Sequence, residues 1–306
     1  VQPVMTRPRF DREILRKLLR YGGALTISGL AAIPLSTAER FFLARNHSTA
    51  EVAYYAVAAT LATTLIVLPE QLVGPLRPGL TRLQAQGRTE EHRALYKKSL
   101  AGLFLLITPG AILLAFVAHP FLSVWAGPQY GLHSTGPFLV VIAGVWLNCL
   151  AYVPYSYLLS SGRTKVIAYI QAAEVLPYIG GAWVLTAHFG AMGAALVWSA
   201  TYAVDAVVFL VVVWRVARLP FSPLSAQRLR STAAPVALGC VAAIMATVSH
   251  GLISRIVFAL LLGLIYALCV WRFVLTGRER SSLQDLVGEI TRRRRAPQPE
   301  HAVGTV

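Results

Sequence analysis

The sequence predicts an all-α protein, a polytopic bundle of about eight transmembrane helices with both ends in the cytoplasm. Three observations carry this. Of 306 residues, 56% are apolar and only 13% are charged, about half the charged share of a soluble protein, and the mean hydropathy is +0.60. The apolar residues fall in runs of about 20, the length a helix needs to cross roughly 30 Å of hydrocarbon. Lys and Arg are distributed asymmetrically among the breaks between those runs. Strict period-2 alternation, the mark of a membrane β-barrel, is absent.

A polar, basic arm occupies residues 1–17. The first predicted helix runs 18–38, the second 52–76 and the third 97–118. Residues 119–132, HPFLSVWAGPQYGL, carry no Lys or Arg; Phe121, Trp125 and Tyr130 there suit a short helix lying in the interface. Further helices are predicted over 136–158, 166–186 and 191–213, completing a six-helix unit over 18–215. A loop at 216–231 leads to an added pair, 232–249 (short and Ala-rich) and 252–275. The tail, 276–306, is polar and basic, and its run Arg292 to Arg295 is a topology anchor or a contact for anionic lipid headgroups. Because the chain opens on Val1 with a polar stretch and no leader, it is expected to be internal to a longer protein.

Orientation follows from the basic residues. The N-terminal arm, the loops after helices 2, 4 and 6 and the C-terminal side hold 25 of the 28 Lys and Arg; the opposite side has only Arg40, Arg45 and Arg255. Basic residues stay on the cytoplasmic face, so both termini are placed inside. One helix too many or too few would have scrambled this alternation. The net charge of +15 is thereby a matter of topology, and no nucleic-acid partner is expected.

Cys149, Cys240 and Cys269 lie in apolar runs without metal-ligand spacing, so no metal, disulfide frame or cofactor is implied. The sequence lacks G-x-x-x-x-G-K-[ST], the phosphate loop of ATP-driven proteins. Its loops hold no D-x-D or H-x-x-x-x-D pattern of a sugar or acyl transferase, and no helix carries the spaced arginines of a voltage sensor. No enzymatic activity is expected.

Carboxyl groups are costly in hydrocarbon, so each one inside a span is a functional candidate. Three fall there: Glu70, Glu174 and Asp205. At a rise of about 1.5 Å per residue, they lie about 10–12 Å from the inner ends of helices 2, 5 and 6. Helices 5 and 6 are joined by a short turn, so Glu174 and Asp205 can face each other, and no Lys or Arg is expected at that depth. Two readings stand. The three form a proton or cation site that couples transport to an ion gradient, or each is a neutral acid or bonded to Gln71, Gln171, Tyr178 or a hydroxyl. Pro69 and Pro177 flank two of them and can open the helix backbone beside a cavity.

Glu39 and Arg40 end helix 1 on the outer side. They read as an interfacial ion pair, or Arg40 meets an anionic group such as a diphosphate in a cavity. Tyr152, Tyr155 and Tyr157 at the inner end of helix 4 suit an aromatic belt, with stacking on a sugar ring as the alternative. Small residues in the segment Gly190-Ala191-Met192-Gly193-Ala194-Ala195 permit close helix contact.

Several segments in order resemble one family. LLRYGGAL (18–25), ERFFL (39–43), AEVAYYAVA (50–58), LRPGLTRLQAQGRTEE (76–91), AGPQY (126–130), LSSGRT (159–164) and HFGAMGAAL (188–196) are similar to polysaccharide and lipid-linked oligosaccharide flippases of the multidrug/oligosaccharidyl-lipid/polysaccharide exporter superfamily. The resemblance covers about 18–215, and 232–275 by position only. It implies two six-helix lobes that rock between inward- and outward-facing states. Helices 1–6 would be the second lobe and helices 7 and 8 the extra pair of 14-helix members. A first lobe would then come from a longer chain or a partner.

The expected function is therefore a flippase-type transporter in the bacterial inner membrane, moving polyprenyl-diphosphate-linked sugar units through surrounding membrane lipid. Arg77 and Arg82 would attract the diphosphate on the cytoplasmic side. Two rivals are a cation-coupled multidrug exporter on the same fold and a non-transporting component of a polysaccharide assembly.

Overall fold

The computed structural model describes residues 12–217, 235, 237–242, 244, 245 and 251–274. Among the described residues every extended element is a helix and no strand is present. The chain order is α1 (Arg12–Asn46), α2 (Thr49–Thr63), a 3₁₀ turn (Thr64–Ile66), α3 (Val67–Ala85), α4 (Thr89–Trp125) and α5 (Pro128–Ser160). The helical stretch Thr164–Ala217 is broken at Gly190; its halves are α6 (164–189) and α7 (191–217). α8 (Leu252–Cys269) runs into a π-helical turn, Val270–Val274.

The helices outrun the predicted spans because polar residues can continue a helix beyond hydrocarbon. The second predicted span is one helical run, Thr49–Ala85, divided into α2 and α3 by a 3₁₀ turn. Pro69 lacks the N–H that would bond the carbonyl four residues earlier, and the 3₁₀ turn Thr64–Ile66 stands at that point. Thr63 and Thr64 donate their hydroxyls to Ala59 O (2.9 Å) and Leu61 O (2.7 Å), and such back-bonding bends helices. The start of α2 is fixed by Ser48, whose hydroxyl accepts from the Glu51 N–H at 3.4 Å, an N-cap.

The interfacial helix expected over 119–132 does not form. α4 continues to Trp125, and α5 begins at Pro128 after the single turn at Ala126–Gly127. Proline at the first helical position needs no N–H partner, so α5 starts there rather than in a separate surface segment. The predicted helix 232–249 falls largely outside the described residues; those described within 237–245 are helical.

Gly190 turns α6 directly back into α7, with φ 54° and ψ −132°. Only glycine adopts this readily. The hairpin is tight: a Cβ on Gly193 would lie 1.9 Å from Leu185 O, and one on Gly181 would lie 3.0 Å from Val197. The small residues at 190–195 thus set the pairing in which 181 faces 197 and 185 faces 193.

α5 is the central helix, packed against α2, α3, α4 and the α6–α7 hairpin, while α1 lies along the hairpin. Gly144 marks the closest approach of α5 to α7, since a Cβ there would sit 2.6 Å from Ser199 Cα. Ser199 Oγ donates to Val140 O across the same contact at 2.8 Å. The core joins Tyr55, Phe138, Val141, Val145, Ala194 and Phe209 from three helices. α8 packs on the outer side of α4, where Phe116, Leu238, Leu262 and Tyr266 form a second cluster.

The exterior is as apolar as the interior. Leu30, Phe41, Val124, Leu132, Leu176, Val204 and Leu260 are all exposed. A contiguous apolar surface of this kind suits hydrocarbon and not water. Among the described residues five helical stretches are long and apolar enough to cross a membrane: Thr49–Ala85, Thr89–Trp125, Pro128–Ser160, Thr164–Val216 and Leu252–Arg272. The fourth is the α6–α7 hairpin.

Candidate functional site

A cavity of about 330 Å³ lies among α1, α3, α5, α6 and α7. Helical periodicity assembles it. Asn148, Ala151, Tyr152 and Tyr155 recur at i, i+3, i+4 and i+7 and form one face of α5. Gln171, Glu174 and Tyr178 do the same on α6, and Trp198, Thr201, Tyr202, Asp205 and Phe209 on α7. Residues at these spacings share a helix face. α1 adds Ala32, Leu35 and Ser36, and α3 adds Arg77.

The hairpin register brings Glu174 and Asp205 together, with their carboxyl groups within hydrogen-bonding reach of one another. Glu174 Oε1, Asp205 Oδ1 and Gln171 Oε1 are buried and accept no hydrogen bond from another residue. The sequence reading offered Gln171 and Tyr178 as partners for the span carboxyls. The structure instead gives Tyr178 to Glu39, and Gln171 Oε1 stands alone. Glu70 is apart from the pair: it is exposed on α3 and accepts from Tyr152 Oη at 3.4 Å, which makes it a neighbour of the cavity wall.

Arg77 lines the same cavity as the two carboxyls. Its Nε donates to Ser156 Oγ at 3.3 Å, and its guanidinium lies 5.9 Å from the centre of the Tyr155 ring. The arginine reaches inward from α3 because its long side chain carries the charge well away from its own backbone, a distance that counting residues along the helix omits. Arg82, further along α3, is exposed and lines no part of the cavity. Arg40 is also outside it, half-exposed, with its Nε 3.6 Å from Glu39 Oε1. Tyr152 and Tyr155 face the cavity, whereas Tyr157 is buried and stacks on His92 with ring centres 4.4 Å apart. These tyrosines are not an interfacial belt.

Sequence reasoning missed the importance of Glu39. It is 1% exposed, and it joins three helices. Tyr55 Oη of α2 donates to Oε1 at 3.2 Å and Tyr178 Oη of α6 donates to Oε2 at 2.5 Å. Because Tyr178 also lines the cavity, this node forms the cavity wall toward the Asn46 end of α1. Beyond it, His47 Nε2 lies 2.7 Å from Thr186 O, and the Ala191 N–H donates to Glu51 Oε2 at 2.9 Å. The α1–α2 turn is thus fastened to the α6–α7 turn. No sequence motif marks these contacts, because the partners lie about 140 residues apart along the chain.

Among the described residues no three His, Cys, Asp or Glu side chains converge as a metal site. Chemically the cavity offers one guanidinium, two adjoining carboxyl groups, two amides and several aromatic faces, an arrangement that can bind a polar ligand.

Two comparisons bear on the chain. Residues 1–135 match the family described as "Polysaccharide biosynthesis protein". A relative from Shigella flexneri, named "Putative O-antigen transporter", is 26% identical over 197 residues, covering 64% of this chain and 46% of its own length. The chain therefore spans less than half the length of that curated relative. Both matches support the polysaccharide-flippase family that the sequence resembles. The apolar helical bundle is that of a multi-pass membrane protein.

Proposed function

We propose that the chain forms the second lobe, with an added helix pair, of a flippase-type transporter that carries polyprenyl-diphosphate-linked sugar units across the bacterial inner membrane. The observation that carries this reading is the cavity, which holds Arg77 together with Glu174, Asp205 and aromatic faces inside an otherwise apolar bundle. A guanidinium recognises phosphate oxygens through paired hydrogen bonds, and aromatic faces and acceptors suit a sugar. Both termini lie in the cytoplasm, so Arg77 is near the cytoplasmic end and Arg82 lies on the exposed surface below it, where it draws the diphosphate in. The fastened turns at His47 and Glu51 then face outward. A first lobe, from the same longer protein or a partner, completes the pathway. Glu174 and Asp205 are the coupling site for a proton or cation, because two adjoining carboxyl groups form a unit that takes up positive charge. Glu70 modulates it through Tyr152.

The test is made in the native cell. The locus is deleted, lipid-linked sugars are labelled, and their leaflet is determined. Accumulation on the cytoplasmic leaflet with loss of surface polysaccharide is expected. Unchanged sugar lipids with altered drug sensitivity would sink the reading and favour a cation-coupled multidrug exporter, which the adjoining carboxyls also suit.

A further inference from the structure

We infer that the cavity selects the carried sugar, accepting rings rich in hydroxyl donors and rejecting carboxylated ones through Gln171, Glu174 and Asp205. This rests on the flippase reading above and names the substrate class of the same site.

The argument begins with unmet acceptors. Gln171 Oε1, Glu174 Oε1 and Asp205 Oδ1 are buried without a hydrogen-bond donor, a costly state for polar atoms out of water. Some donor atoms on the cavity wall are committed elsewhere. Tyr178 Oη donates to Glu39, Tyr152 Oη to Glu70 and Arg77 Nε to Ser156. One proton shared between Glu174 and Asp205 satisfies their mutual contact but leaves Gln171 unserved. Because Gln171, Glu174 and Asp205 all line the cavity, a small turn of each side chain presents these oxygens to a ligand that brings several donors of its own.

The remaining wall narrows the ligand further. Tyr152 and Tyr202 are half-buried and present ring surface to the cavity, and the flat C–H faces of sugar rings pack on such surfaces. A volume of about 330 Å³ is at the lower end of small-ligand sites. An organic cation would also use the carboxyls and rings, but Arg77 lines the same cavity and repels it. A sugar diphosphate has a use for both signs of charge: phosphate at Arg77, hydroxyls at the acceptors. A uronic acid brings its carboxylate against Glu174 and Asp205, an element of exclusion.

The test uses the full-length protein containing this chain, in lipid nanodiscs, with affinities read by calorimetry. The probes are a short-chain prenyl diphosphate bearing one neutral N-acetylhexosamine, the same compound bearing one hexuronic acid, and tetraphenylphosphonium. The neutral probe is expected to bind about tenfold or more tightly than the uronate probe, as one unrelieved like-charge contact implies. The double substitution Glu174→Gln with Asp205→Asn is expected to erase the preference by strengthening uronate binding, a gain that a purely structural role would not produce. Equal affinities for the two sugar probes would overturn the selection and leave the flippase reading standing. Tetraphenylphosphonium binding without sugar binding would overturn both, and failure of every probe to bind would overturn the selection. The wild-type ratio needs no variant, so misfolding of the double substitution leaves the question decidable.

Discussion

Tyr178 Oη donates to Glu39 Oε2 at 2.5 Å, joining α6 to α1 across 139 residues of sequence. With Tyr55 bonded to the other carboxyl oxygen at 3.2 Å, Glu39 closes the cavity toward the Asn46 end. Removing the carboxyl strands two buried hydroxyls, each costing about 1–3 kcal/mol. Glu39→Ala is therefore expected to lower stability by about 2–6 kcal/mol. Tyr178→Phe removes only one partner and should cost about 1–2 kcal/mol, since Tyr55 still serves the carboxyl. Thermal unfolding in detergent of both variants and their combination gives a coupling energy; additive losses would show that the two residues do not act as a pair.

The α6–α7 turn makes a second prediction. Gly190 has φ 54°, and a Cβ there would lie 2.9 Å from Glu51 Oε2. Gly190→Ala meets backbone strain of about 1–2 kcal/mol and crowds the carboxylate that caps Ala191. The expected result is a destabilised hairpin, read as a lower unfolding midpoint and increased proteolysis at 186–191. An unchanged midpoint would mean that the turn relaxes without cost.

Orientation is tested by accessibility. With the native cysteines replaced, single cysteines at His188 and at Gly162 are treated with a membrane-impermeant maleimide in intact cells. Position 188 in the α6–α7 turn should react from outside, and position 162 in the α5–α6 turn only after the membrane is opened. The reverse pattern would invert the topology drawn from the basic residues.

Arg77 and Arg82 should separate by function. Arg77 lines the cavity, while Arg82 is exposed. Arg77→Ala is expected to reduce transport of a diphosphate-linked sugar by about tenfold to a hundredfold, consistent with the loss of a charge-assisted contact. Arg82→Ala should cost less than about threefold at physiological salt and more at low salt, as expected of a steering charge. Transport in cells or proteoliposomes reads both, and equal losses would remove the distinction.

Glu174→Gln and Asp205→Asn are expected each to weaken the dependence of transport on an imposed proton or cation gradient, and together to abolish it. Flux measured against gradient size tests this. A full gradient response in the double variant would place the coupling elsewhere.

Much of this molecule is legible in its residue order. The all-helical architecture follows from apolar runs of the right length and from the lack of period-2 alternation. The pairing of Glu174 with Asp205 follows from a short turn between two helices, because the distance of each residue from that turn fixes its depth. Proline at 69 and glycine at 190 announce the two sharpest departures from straight helices. The family resemblance, carried by short segments between 18 and 196, is supported by the family match over residues 1–135 and by one relative.

What the residue order left open was decided by contacts between distant helices. Depth along one helix does not say which way a side chain reaches, so Arg77 was placed at an end when its guanidinium enters the cavity. Nor does it say which buried donor meets which acceptor: Tyr178 is four residues from Glu174 yet is bonded to Glu39. The helix faces that meet are selected by packing, as at Gly144 against Ser199, and only then do Gln171, Tyr202 and Arg77 share one space. The sequence by itself determined the all-helical architecture and the short turn that pairs Glu174 with Asp205, because these depend on local geometry and transfer into hydrocarbon. Tertiary structure alone decided the cavity and its hydrogen-bond partners, because these depend on how five helices rotate about their axes when packed together.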